Sequence, residues 1–144
     1  MHVTLIGTGN TARGIGSRVL AGGHDLTVVG KDAQRAEGVA CDIGGEGTVK
    51  TAAPGARFVK AFNTTFASPL TQGEVAGHTL DVLIAGDDDE AKPKVAALAR
   101  DGGLKPIDVG PQARARELEA TGLLHMGVQD TLGTSFASAL KIIV

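Results

Sequence analysis

A glycine-rich junction close to the N-terminus, Gly7-Thr8-Gly9-Asn10-Thr11-Ala12, has residue types and spacing suited to holding a diphosphate. Gly7 permits a tight turn off the apolar run Val3-Thr4-Leu5-Ile6, Gly9 lets the backbone approach a pyrophosphate, and the small Ala12 lets a helix pack close to the strand. A phosphate there would sit on a helix N-terminus, where free first-turn amides and the helix dipole both favour an anion. The same string also serves as a plain structural turn in a chain with 21 glycines. Its surroundings are those of a dinucleotide-binding unit. A helical pattern with Ile15, Val19 and Leu20 on one side follows, ends at Gly22-Gly23, and leads into a second apolar run beginning at Leu26.

The second run closes with Gly30-Lys31-Asp32, followed by Arg35. NAD sites place an acid here against the ribose hydroxyls, whereas NADP sites place cations. Lys31 and Arg35 can hold a 2′-phosphate, which makes NADP the preferred cofactor; equally, Asp32 can be the N-cap of a solvated helix. Other polar groups read as structural. His2, His24, His78 and His125 are too scattered for a metal site, and His125 lies on an apolar helix as a satisfied core or interface residue. Cys41 is a small core or loop residue. The Asp87-Asp88-Asp89-Glu90 run suits the first turn of a helix, and Arg114 and Arg116 with Glu117 and Glu119 form a solvated face.

The elements that must position these groups alternate between strand and helix. Strands are expected at residues 3–6, 26–30, 57–62, 80–85 and 105–109. Helices are expected after Asn10, over 32–40, near 71–76, from 87 to 100, and from Pro111 through Leu118. An apolar helix over 123–144, bent at Gly127 or Gly133, closes the chain. Such alternation implies an α/β fold: a Rossmann-like, doubly wound, mostly parallel sheet, truncated, with C-terminal helices. At 144 residues the chain suits a single dinucleotide-binding domain.

Composition narrows the function. With 14 basic and 16 acidic residues, no basic run and no Trp or Tyr, nothing provides for phosphate neutralisation or base stacking, which argues against a nucleic-acid partner. No segment is apolar for long enough to span a bilayer, and the N-terminus lacks the regions of a signal peptide, so a cytoplasmic protein is expected. The single cysteine fits a reducing compartment.

Five segments resemble the NADPH-dependent reductases of the deazaflavin coenzyme F420, whose Rossmann domain is related to that of membrane metalloreductases. They are Gly7-Thr8-Gly9-Asn10, Val59-Lys60-Ala61-Phe62-Asn63-Thr64, Ala85-Gly86-Asp87-Asp88, Ile107-Asp108-Val109-Gly110-Pro111, and Leu132-Gly133-Thr134-Ser135-Phe136-Ala137-Ser138-Ala139. The resemblance implies hydride transfer between a nicotinamide and a deazaflavin, a flavin or a small organic acceptor, with the protein supplying proximity and shape. It also implies that the loop through Ala61, Phe62, Asn63, Thr64 and Thr65 borders the nicotinamide. An ordinary strand end and turn is the other reading of that loop.

One departure is marked. Where the family carries two further strands, about 50 residues, this chain has only the stretch 44–56. Either the strand near Phe58 slides inward beside residues 3–6, carrying the loop at Asn63 toward Gly7, or a partner chain fills the gap. The altered cleft leaves open a second function: a non-redox cyclase, isomerase or ligand-binding protein for a small hydrophobic molecule. The apolar C-terminal segment, with Leu123, Leu124, Met126, Phe136, Leu140, Ile142 and Ile143, also points to a homodimer.

Overall fold

A computed structural model describes residues 1–6, 9–29 and 57–143. Gly7, Thr8, Lys31, Arg35, Cys41, the helix expected at 32–40 and the shortened stretch 44–56 lie outside the described residues.

The N-terminal βαβ unit forms as the sequence dictates. Strand β1 (His2–Ile6) leads to helix α1 (Asn10–Ala21) and returns as β2 (Asp25–Val29), which pairs with β1 in parallel from His2 opposite Asp25 to Ile6 opposite Val29. Further on come α2 (Ala67–Gln72), the small antiparallel pair β3 (Glu74–Val75) and β4 (His78–Thr79), and then β5 (Asp81–Ala85). Helix α3 (Ala91–Asp101) connects β5 to β6 (Lys105–Gly110), again in parallel. A 3₁₀ turn (Gln112–Arg114), helix α4 (Ala115–Gly127) and the short α5 (Gln129–Leu132) follow. Parallel pairs joined by crossover helices are the α/β architecture expected from the alternating pattern.

The core centres on β5. Its residues alternate too little to leave one face in water, and Val82, Ile84 and Ala85 are buried with Leu70, Leu80, Ala99 and Leu104. Helix α1 packs on α2 and α3. Its C-terminus comes so close to that of α3 that a Cβ on Gly102 would lie 2.7 Å from the Arg18 carbonyl oxygen.

Four expectations are corrected. Residues 57–62 form no strand: Lys60 makes a single antiparallel bridge to Ala85, exchanging bonds of 2.8 and 2.9 Å, so this segment lies against β5 and not against β1. Phe62 ends the extended run by turning to φ 67°. The helix expected near 71–76 falls earlier, over Ala67–Gln72, because Pro69 is tolerated in a first turn and Gly73, at φ 84°, stops the helix. The acidic run precedes α3 and does not occupy its first turn. Within it Asp88 Oδ1 accepts the amides of Glu90 (3.0 Å) and Ala91 (2.7 Å), and Asp87 accepts that of Gln112 (2.9 Å).

The fourth correction concerns the C-terminus. Helix α4 runs unbroken across Leu118 to Gly127, α5 stops at Gly133 in the left-handed region, and residues 134–143 form a non-helical strap. Asp81 captures that strap: its Oδ1 accepts from Lys141 Nζ at 2.5 Å and its Oδ2 from the Ile142 amide at 2.7 Å. Burial raises the Asp81 pKa, but the hydrogen bonds from Lys141 and Ile142, with the charges of Lys141 and Lys105, outweigh it and hold the carboxyl below its ordinary value of 3.8. A carboxyl depressed on folding stabilises the fold above its unfolded value and loses that contribution as pH falls through the folded one. The Asp81 anchor is therefore intact throughout the neutral range.

Candidate functional site

Helix α1 begins without a side-chain cap. Gly9 is its N-cap at φ −81°, ψ 175°, and the first helical bond runs from the Arg13 amide to the Gly9 carbonyl at 3.1 Å. The amides of Asn10, Thr11 and Ala12 therefore precede the intrahelical ladder and are available to an anion. Asn10 and Thr11 are exposed, and a Cβ built on Gly9 would meet nothing within 4 Å among the described residues. An open, uncapped helix end fits a phosphate.

Beside it lies a cavity of about 240 Å³. Thr11 contributes one wall, Phe62, Asn63, Thr64 and Thr65 with Phe66 and Ala67 a second, and Gly122, Met126 and Phe136 the third. The structure thus brings the first turn of α1 together with the loop after Ala61, although no strand carries that loop to β1. Ala61 itself packs against the core and not into the cavity.

The loop is held from below. Thr65 donates its hydroxyl to the Phe62 carbonyl at 2.8 Å, closing a tight turn, and Asn63 Nδ2 donates to the Leu118 carbonyl of α4 at 2.9 Å. Asn63 Oδ1 is buried with no hydrogen-bond partner among the described residues. Helix α4 can come this close because position 122 is glycine: a Cβ there would lie 2.8 Å from the Asn63 carbonyl oxygen. Lys60 forms an ion pair with Glu119 on the same helix.

Sequence reasoning missed the third wall. Three of the four phenylalanines, Phe62, Phe66 and Phe136, converge on the cavity, so the low aromatic content conceals a local concentration. Phe66 and Phe136 meet edge to face with centroids 5.1 Å apart. His125, 4% exposed, is a core histidine: it lies 4.4 Å from the Phe66 ring, and its two ring nitrogens lie within hydrogen-bond distance of Thr64 and Ser138. Arg114 pairs with Glu117 at 2.7 Å on the solvated face. Among the described residues no three His, Cys, Asp or Glu side chains converge as a metal site, and no helix is long and apolar enough to cross a membrane.

Comparison of the whole fold with solved structures sets this arrangement in context. It superposes on a protein from Arthrobacter sp. FB24, assigned as an F420-dependent NADP reductase, with a TM-score of 0.76 over 98% of each chain at 18% identity. The chain has the fold of that protein. A hypothetical protein from Sinorhizobium meliloti matches with a TM-score of 0.56 at 20% identity, over 78% of this chain and 86% of that one. In sequence, 70 residues, 49% of the chain, are 46% identical to the metalloreductase STEAP3 of Rattus norvegicus. That match spans 14% of the relative's length. No protein-family model matches the chain. Both the sequence relative and the full-length structural neighbour are named as reductases, in line with an NADP-reductase-like Rossmann fold.

Proposed function

We propose that the chain is an NADP(H)-binding oxidoreductase, a shortened relative of the F420-dependent NADP reductases, working as a single dinucleotide-binding domain in the reducing cytoplasm. The supporting observation is the shared cavity: the uncapped N-terminus of α1 and the loop 62–65 face the same space through Thr11. In this reading the pyrophosphate lies over Gly7, Thr8, Gly9 and the amides of Asn10, Thr11 and Ala12. Lys31 and Arg35 take the 2′-phosphate, and Phe62 and Asn63 to Thr65 border the nicotinamide, with Ala61 on the core side of the loop. The bound nicotinamide supplies the hydride, and a deazaflavin, flavin or small organic acceptor receives it. The chain's own groups fix the approach of the two rings and exclude water, with Asn63 tying the loop to α4.

A second reading draws on the apolar lining. Phe62, Phe66, Met126 and Phe136 also suit a small hydrophobic molecule, bound or rearranged without redox chemistry. Following NADPH absorbance with F420 or a flavin present distinguishes the two. Asn63→Ala and Thr64→Ala are expected to slow hydride transfer about tenfold or more, since small misplacements of reacting rings are costly. Wild-type protein that binds an apolar ligand but oxidises no NADPH with any acceptor supports the second reading.

We also propose a homodimer through the outer face of α4. Leu123 and Leu124 are each 70% exposed, and Met126, on the same helix, belongs both to this face and to the cavity. A second copy there would cover the open side of the cavity. Light scattering at tens of micromolar, where an association of about −7 kcal/mol is visible, is expected to give twice the chain mass; a monomer would remove this part of the proposal.

A further inference from the structure

The strap 134–143 and the loop 62–65 are joined by a chain of polar atoms, buried at Thr64, His125 and Gln129 and partly exposed at Thr134 and Ser138. His125 Nδ1 lies 3.3 Å from the Thr64 carbonyl oxygen, and His125 Nε2 lies 2.9 Å from Ser138 Oγ. Ser138 Oγ in turn lies 3.0 Å from Gln129 Oε1, which also accepts from Thr134 at 2.6 Å. Gln129 Nε2 donates to the His125 carbonyl at 2.7 Å, fixing which end of the amide faces Ser138.

Counting protons decides the state in which this chain is complete. Its two ends, the Thr64 carbonyl and Gln129 Oε1, only accept. Three links lie between them, and each needs one proton. A neutral imidazole and the Ser138 hydroxyl bring two, so one link must set lone pair against lone pair. An imidazolium brings the third: Nδ1 donates to Thr64, Nε2 donates to Ser138, and Ser138 donates to Gln129. Thr64, His125 and Gln129 are 4%, 4% and 2% exposed, so water reaches the chain only from the partly exposed Ser138 and Thr134 side.

We propose that His125 is a positioning residue of the cavity: its protonated ring ties the loop at Thr64 to the strap at Ser138, and loss of that proton loosens the strap at the cavity wall. The strap carries Phe136, which lines the cavity and packs edge-on against Phe66, while Phe66 lies against the His125 ring, where an aromatic face favours a cation. Burial opposes the charge. Ionic partners do not decide the matter. On α4, Glu117 is held by Arg114 and Glu119 by Lys60; on α5, Asp130 is exposed; on the strap, Lys141 is held by Asp81. The loop 62–67 and α2 carry no ionisable side chain. The hydrogen-bond chain and the aromatic contact are therefore what couples the ring to the strap, independently of which ligand the cavity takes.

Hydrogen exchange of the strap amides in the full chain, normalised to intrinsic exchange rates, tests this between about pH 5 and 8, where imidazole titrates. Asp81 stays ionised throughout, so the other strap anchor is constant. Protection of residues 134–143 is expected to fall about tenfold as pH rises across that range. Ser138→Ala, which cuts the chain, and His125→Gln, which bonds without a charge, are expected to abolish the pH dependence. Flat wild-type protection, or the wild-type profile retained in Ser138→Ala, would overturn the proposal. Loss of nucleotide binding alone would leave it standing.

Discussion

Gly9→Val is expected to weaken NADPH binding at least about tenfold, a change of about 1.4 kcal/mol, without unfolding the protein. Gly9 sits in backbone geometry open to any residue, and among the described residues nothing lies within 4 Å of its missing Cβ. Valine is a poorer helix cap than glycine, at a cost of about 1 kcal/mol or less. What the substitution does remove is the close approach of a pyrophosphate to the backbone ahead of the α1 amides. Calorimetric titration alongside thermal melting separates the two effects. Unchanged affinity in a folded Gly9→Val variant would show that no diphosphate lies there.

Gly122→Ala is expected to cost about 2 kcal/mol, although the same change at an open position inside a helix gains up to about 1 kcal/mol. The difference lies in what the new methyl meets. At 122 it would stand 2.8 Å from the backbone oxygen of Asn63, and no rotamer change relieves a contact with backbone. Either α4 moves out or the loop 62–65 moves, and both disturb the cavity and the Asn63 to Leu118 bond. Gly127→Ala, with nothing within 4 Å among the described residues, is the control and should be neutral or stabilising. Denaturant melts of the two variants check the contrast; equal behaviour would mean that α4 does not press on the loop.

The elements that sequence made legible are those specified locally. β1, α1 and β2 follow from an apolar run, a glycine turn and a 3.6-residue stripe, and β5 from an apolar stretch too continuous for an exposed strand. Elements set by long-range contacts were misread. Residues 57–62 look like a strand, yet one bridge to Ala85 and the left-handed turn at Phe62 decide their path. The C-terminal segment has the composition of a helix, but Gly133 stops it and Asp81, about 60 residues earlier, captures the strap. The same holds at the candidate site. The glycine motif and the Asn63 loop were visible as strings, whereas the wall formed by Gly122, Met126 and Phe136 depends on where α4 and the strap come to rest.

Calorimetric titration of the wild-type chain with NADPH and NADH, each alone, tests the central claim most directly. Saturable binding of NADPH at one site per chain, tighter than NADH, is expected from an uncapped helix N-terminus suited to a diphosphate and from the cationic Lys31 and Arg35 that the sequence places after the second strand. Binding of neither nucleotide at millimolar concentration would contradict it.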